Sequence, residues 1–418
     1  MYIKKIKIRN IRSISEFSME FKKPVGWNVL IGDNGSGKST LMRSIALGLV
    51  GPEEALGLRA DWRDWLTQKT NFGHIRLDLE KQDIDKQTGR SAKLTKWLVP
   101  NIINFKRQNE IVEISTGKTP KVDPIKYNWG KGIGWFSVAF GPYRRFAGGN
   151  QEWTKVFYSQ PKLGAHLSAF GEDVALTETL DWLVKLNYKL LEKNVAGEIL
   201  HDLKLLINSP EFLPHNTRLD KINSDGVFFK DGNGIEISVN QLSDGYRSIL
   251  SMTMELIRQL VRVYGSNLVF KNIRQNEILI DLPGVVLIDE VDAHLHPTWQ
   301  TRIGNWFIKY FPKMQFIVTT HSPLVCRACE KGSIWRLAAP GSDYKSGEVT
   351  GTDKNRLIYG NILDAYGTEV FGQNISISEE ANNSLNLLAE LNIKSIKGEI
   401  SDSEKKKLQN LKSIFPTE

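Results

Sequence analysis

Apolar and polar positions divide the chain into stretches of different period. At the start, Ile3, Ile6, Ile8 and Ile11 alternate with Lys4, Lys5, Lys7, Arg9 and Arg12, which predicts a half-buried strand in an N-terminal strand pair. The apolar run from Trp27 to Ile31 reads as a buried strand, and the run from Thr40 to Leu49 as a helix. Residues 72–140 read as β-rich. Gly73 to Glu80 alternates, Lys81 to Ser91 makes a polar turn, and strands follow at Lys96 to Val99 and Glu110 to Ile114. A nearly all-apolar strand from Gly134 to Phe140 ends at Gly141-Pro142. Residues 147–170, rich in glycine and serine, predict a loop.

Beyond that loop the period becomes helical. Leu180, Leu183, Val184, Leu190 and Leu191 share one face of a stretch from Thr177 to Ile207, with a break expected between Asn194 and Gly197. Asp231-Gly232-Asn233-Gly234 joins Val227–Phe229 to Ile235–Ile237 as a hairpin. The rest is α/β: a helix after Ser243, a strand at Val285–Ile288, a helix at Thr298–Phe311 and a strand at Gln315–Thr319. Two short helical stretches, Glu379–Leu391 and Ser403–Phe415, lie near the end. Neither an internal repeat nor a long heptad run is legible.

Composition narrows the class. In 418 residues, 41% are hydrophobic, enough for a substantial core. No apolar run approaches the roughly 20 residues of a membrane helix, and the first residues lack a signal-peptide core. With only two cysteines, the expected location is cytoplasmic and no membrane partner is expected. Those two, Cys326 and Cys329, form a lone CxxC without further zinc ligands nearby and read as a helix turn. Net charge is +8, from 55 basic and 47 acidic residues, which is compatible with DNA or RNA and leaves that question open.

Chemistry concentrates first at Gly32-Asp33-Asn34-Gly35-Ser36-Gly37-Lys38-Ser39, between the strand at Trp27–Ile31 and the helix at Thr40–Leu49. A glycine loop in that context turns backbone N–H groups towards a phosphate, and the helix N-terminus adds positive partial charge. Lys38 then reaches the β- and γ-phosphates and the Ser39 hydroxyl ligates Mg²⁺, while Asn34, Gly35, Ser36, Gly37 and Thr40 complete the cradle. The second element is Val285-Val286-Leu287-Ile288-Asp289-Glu290, a buried strand delivering two acids at its C-terminal end. Asp289 is expected to hold Mg²⁺ and Glu290 to orient or deprotonate the attacking water.

Asn240-Gln241-Leu242-Ser243-Asp244-Gly245-Tyr246-Arg247-Ser248 resembles the signature motif of ABC-type ATPases, matching at Leu242, Ser243 and Gly245 and departing at Asp244 and Tyr246. The resemblance implies that Ser243 and Gly245 bind the γ-phosphate of ATP held by a second subunit. Read on its own, Ser243-Asp244 is also a helix N-cap, with the Asp244 side chain turned away from phosphate or capping the helix. Glu290-Val291-Asp292-Ala293-His294-Leu295-His296-Pro297 stands where that superfamily has its D-loop, and Thr319-Thr320-His321-Ser322-Pro323 where it has its switch histidine, His321. For His294 and His296, helix capping and loop packing are favoured over metal binding.

The combination resembles the branch of ABC ATPases that includes the SMC, RecF and OLD-like proteins, over about residues 1–335. Ile6-Lys7-Ile8-Arg9-Asn10-Ile11-Arg12-Ser13 is similar to the basic strand pair that opens that branch, and the resemblance places Arg12 among the nucleotide-binding residues. Phe140-Gly141-Pro142-Tyr143-Arg144-Arg145-Phe146 resembles the group's Q-loop region but lacks its glutamine; Arg144 and Arg145 are expected near the acidic strand ends or at nucleic acid. The fold implied is an α/β P-loop NTPase with an ABC-type head: a mixed-sheet core, an antiparallel β subdomain (72–170 as β-rich and loop insert) and a helical subdomain (177–245) carrying the signature. Residues 336–418 would be a C-terminal extension for partner docking.

The tail resembles those of stand-alone ATPases in bacterial anti-phage systems, among them the Septu ATPase subunit and retron-associated ATPases. What that implies is an ATP- and Mg²⁺-using enzyme that forms a homodimer or higher oligomer around nucleotide. It would lack a nuclease of its own and control a separate effector, for which the Septu resemblance implies a nuclease of HNH type. A RecF-like DNA-repair ATPase and a nucleotide-dependent scaffold with negligible turnover are the alternatives.

Overall fold

The alternating start becomes β1 (Tyr2–Ile11) and β2 (Ile14–Glu20), paired antiparallel with Ile6 opposite Met19 and Ile8 opposite Phe17. The computed structural model describes residues 1–85, 99–119, 123–129, 135–144, 153, 156, 159–171, 177–342, 344–361, 365 and 379–415. Most of the strand expected at Lys96–Val99, part of the turn before it, Arg145, Phe146 and much of the tail between residues 362 and 378 lie outside the described residues. Two compact units are present, Met1–Tyr359 and Gly360–Glu418.

In the first unit, β3 (Gly26–Ile31) leads to α1 (Lys38–Val50). β1 and β2 join β4 (Phe72–Glu80), β5 (Val99–Gln108) and β6 (Ile111–Thr116) in one antiparallel sheet, in the order β2-β1-β4-β5-β6. A second sheet is built on β3, β7 (Ser137–Phe140), β11 (Gly284–Ile288), β12 (Met314–Thr319), β13 (Ile334–Arg336) and β14 (Gly347–Glu348), in the order β14-β13-β3-β12-β11-β7. All its pairs are parallel except β13 with β14.

α1 lies between the sheets, which is why nearly every apolar residue along it is buried rather than one stripe. Its Gly48 comes so close to β4 that a Cβ there would stand 2.7 Å from Leu77 Cδ1. Leu41, Ile45 and Leu49 share one core with Ile6, Ile8 and Leu77 of the first sheet and Val285, Leu287 and Ile317 of the second. On the second sheet's other face, Trp27 stacks on Phe307 of a helix at Pro297–Tyr310.

The stretch 147–170, expected as loop, carries a helix at Pro161–His166 and a 3-10 turn at Leu167–Ala169. Six residues cannot nucleate a helix from propensity; burial of Leu163 and Leu167 in the main core supplies the stabilisation. The helical part contains α2 (Thr177–Leu191) and α3 (Ile199–Ile207), broken where the sequence predicted by a 3-10 turn at Val195–Glu198. A three-stranded sheet of β8 (Arg218–Asn223), β9 (Gly226–Lys230) and β10 (Glu236–Ser238) follows; its hairpin was legible and its first strand was not.

α4 (Asp244–Tyr264) then runs 21 residues, and α5 (Pro297–Tyr310) separates β11 from β12. The first unit closes with α6 (Gly351–Tyr359). The second unit contains α7 (Glu379–Lys397) and α8 (Asp402–Ile414), packed through Leu388, Leu391 and Leu408.

Candidate nucleotide site

Because β3, β12 and β11 are adjacent and parallel, the segments that follow them emerge at one edge of the sheet, where ligands bind in α/β folds. After β3 comes the glycine loop. Gly35 (φ 81°) and Gly37 (φ 91°) take left-handed backbone that L side chains rarely adopt, and Gly37 is the N-cap of α1. Lys38 begins the helix and is buried. Its ammonium folds back to donate to Gly32 O at 2.6 Å and Asp33 O at 3.0 Å. Burial lowers the Lys38 pKa, opposed by the charges of Asp289, Glu290, Asp33 and Asp292, so the lysine and both acids belong to one electrostatic site. The Ser36 hydroxyl is buried in the loop and has no hydrogen-bond partner among the described residues. Ser39 and Thr40, in the first turn, are half-buried.

Asp289 follows the fully buried β11 and is itself buried. Thr319, ending β12, donates its hydroxyl to Asp289 Oδ1 at 2.5 Å and accepts from the Glu290 N–H at 2.7 Å. Thr320 donates likewise to Asp292 Oδ1 at 2.6 Å. Glu290 has a left-handed backbone (φ 48°), as does His294 (φ 64°). Sequence reading gave Thr319 and Thr320 no role; a hydroxyl residue at the end of the neighbouring apolar strand was the signal available. His321, two residues beyond β12, is exposed.

Arg144 does reach the acidic strand end, but through main-chain carbonyls: Nη1 donates to Asp289 O and Nη2 to Glu290 O, each at 2.7 Å. Among the described residues, no guanidinium pairs directly with either carboxylate.

At the signature, Leu242 is buried and Ser243 occupies the N-cap of α4. The expected side-chain cap is absent: the exposed Ser243 hydroxyl makes no hydrogen bond to its helix. Asp244 pairs with Arg247 one turn on, which turns its carboxylate aside. Gly245 packs against the segment after the acids, where a Cβ would come within 2.9 Å of His294 O. Tyr246 stacks on His215 with centroids 6.2 Å apart. His296 caps α5, its Nδ1 accepting from Thr298 N–H at 3.3 Å. Cys326 and Cys329 lie buried on the 3-10 turn Pro323–Ala328 and at its end.

Arg12 (φ 49°) lies in the turn between β1 and β2, its guanidinium 4.9 Å from the Trp65 ring centroid and its buried Nε without a partner among the described residues. It lines a cavity of about 220 Å³ with Arg43, Asp61, Asp64, Trp65 and Phe170. The same turn abuts the glycine loop, since a Cβ on Gly37 would stand 3.3 Å from Ser13 Oγ.

A largely parallel sheet delivering a glycine loop, two acids and a histidine to one edge, with an antiparallel sheet over its first helix, is the fold of an SMC-type P-loop head. The chain belongs to the AAA-domain family, whose profile matches residues 5–230, over half of its length; a second AAA-domain profile matches residues 163–327. Among named relatives, Septu protein PtuA of Bacillus mycoides is 26% identical over 80% of this chain and 40% of its own length. PtuA of Bacillus thuringiensis is 24% identical over 82% and 76%. The Escherichia coli retron Ec83 probable ATPase is 37% identical over 34% of this chain and 24% of its own. The chain thus spans less than half the length of two of these relatives. In fold it is similar to the Smc head solved with the C-terminal winged-helix domain of ScpA: TM-score 0.50, 15% identity, 84% of this chain and 98% of that one. Among the described residues, no helix is long and apolar enough to cross a membrane.

Proposed function

We propose that the chain is a Mg²⁺-dependent ATPase that closes head to tail as a dimer around ATP and so controls a separate effector, a nuclease, in defence against phage. The observation that carries this reading is the orphaned Ser36 hydroxyl beside a Lys38 ammonium held by loop carbonyls, with Asp289 and Glu290 in the same electrostatic site. A buried hydroxyl without a partner is costly, and a phosphate oxygen would satisfy it. The loop amides and Lys38 would bind the β- and γ-phosphates, and Arg12 with its cavity would take the base and ribose end. Ser39 and Asp289 would hold Mg²⁺, which when bound would neutralise charge developing on the γ-phosphate.

Glu290 would accept a proton from the attacking water, and His321 would hydrogen-bond the γ-phosphate. The exposed, uncapped Ser243 leaves its hydroxyl and the α4 N-terminus available to a phosphate on a second copy, and Gly245 allows the close approach. The control of an effector and the defence role rest on similarity to Septu PtuA and the retron ATPase. Residues 336–418 are proposed as the docking region for the effector, with the separate unit Gly360–Glu418 as the greater part of it.

The test is Glu290→Gln. With ATP it should double in mass by light scattering and release nucleotide slowly, while turnover vanishes. A monomeric mass and rapid release would remove the dimer reading.

A further inference from the structure

Arg144 stands four residues beyond β7, with its guanidinium buried. Besides the two carbonyls at the acidic strand end, Nη1 donates to Gly141 O at 3.2 Å and Nε to Ser248 Oγ at 3.0 Å. The acceptors come from three segments: the turn after β7, the end of β11 and the second turn of α4. Ser248 lies five residues beyond Ser243 on one continuous helix, so a displacement of the signature end moves Ser248 with it. Burial lowers the Arg144 pKa to about 10, against the opposing charges of Asp289, Asp292 and Glu290; it remains a cation at neutral pH.

The same arginine meets Glu290, whose backbone is left-handed. That conformation persists only where the surroundings over-determine it. They do so at both ends of the residue: Thr319 holds its N–H and Arg144 its C=O. Thr319 belongs to the sheet, whereas Arg144 is tied to α4 through Ser248. A planar, forked guanidinium can serve all four acceptors at once; a lysine ammonium has only three donors at one point.

We infer that Arg144 is a positioning residue that couples the backbone of Glu290 to the signature helix through Ser248, so that Glu290 is aimed for water activation only while α4 is seated. This rests on Glu290 activating water, as proposed above. It adds a main-chain route from signature to acid, through a residue whose hydrogen bonds run to three main-chain carbonyls and the Ser248 hydroxyl.

The full-length chain is tested as Ser248→Ala, Arg144→Lys, the double variant and Glu290→Gln, with a fluorescent ATP analogue for binding and saturating ATP for turnover. Ser248→Ala should keep nucleotide affinity within about twofold and lower kcat about threefold to tenfold, because a small misplacement at the reacting centre is costly. Arg144→Lys should lower kcat by about tenfold to a hundredfold, again with KM little changed. The double variant should be no slower than Arg144→Lys alone, since both act through one connection.

A merely structural arginine would instead lose affinity, thermal stability and turnover together. Wild-type kcat in Ser248→Ala, or losses that multiply in the double variant, would overturn the coupling while Glu290→Gln stays inactive. Full turnover in Glu290→Gln would overturn the reading of Glu290 and this inference with it. Ser248→Ala removes one hydroxyl and leaves the Ser251 bond to Ser248 O intact, so it decides the matter even if Arg144→Lys folds poorly.

Discussion

The Thr319 hydroxyl donates to the Asp289 carboxylate at 2.5 Å, joining the ends of two neighbouring parallel strands. The same oxygen accepts the Glu290 N–H, so one side chain orients both acids. Thr319→Val keeps the shape and removes the hydroxyl. It should lower stability by about 1–3 kcal/mol, the cost of leaving buried polar groups unpaired. Turnover should need more Mg²⁺ to saturate. Denaturant unfolding and a Mg²⁺ titration of ATP hydrolysis check the two effects separately.

Lys38→Ala removes the ammonium held by Gly32 O and Asp33 O. Nucleotide binding should be abolished. ATP at a hundred times its Kd should stabilise the wild-type chain by about 2.7 kcal/mol and the variant by nothing. Thermal unfolding with and without ATP is the measurement; an equal shift in both would sink the assignment of the loop.

Gly245 allows α4 to sit against the segment carrying His294. In Gly245→Ala the new Cβ must displace that backbone, because the carbonyl oxygen would be 2.9 Å away. ATP affinity of the isolated chain should hold, since the cradle lies elsewhere, while kcat falls about tenfold through misplacement of the signature. Equilibrium binding beside steady-state turnover tests the split.

His166 is fully buried, its Nδ1 against Lys162 O at 2.7 Å and its Nε2 against Ser137 Oγ at 3.0 Å. Burial lowers its pKa from 6.5 to about 4. The folded state therefore binds this proton later than the unfolded chain as pH falls. The stability His166 contributes is present above pH 6.5 and lost between there and about pH 4, by up to about 3 kcal/mol. Denaturant unfolding at pH 7.5, 6 and 5 should show a steeper loss for the wild type than for His166→Asn, which does not titrate.

Much of the fold was legible because its strongest signals are local. The helix expected at Thr298–Phe311 is α5, one residue earlier at each end, and the strands at Val285–Ile288 and Gln315–Thr319 are β11 and β12 with one added residue each. β8 and the short helix Pro161–His166 escaped, since β8 is held by pairing with β9 and the helix by burial against α1. Lys38, Asp289 and Glu290, expected together from motif and context, do lie within one another's electrostatic reach. The capping expected of the Ser243 side chain is not made, because its hydroxyl stands in solvent.

By itself the sequence determined the contiguous pieces: a loop whose Gly35 and Gly37 must take positive φ, a buried strand ending in two acids, and a helix opened by Leu242–Gly245. Each depends on backbone conformation and apolar period within about ten residues. Tertiary structure alone decided how the pieces act on each other. Thr319 meets Asp289 only because β11 and β12 pair with Ile288 beside Val318. Arg144 meets Glu290 and Ser248 from more than a hundred residues away. The physical reason is range: a dihedral preference is written into neighbouring residues, whereas a hydrogen bond between distant segments exists only once packing has fixed strand register and helix placement.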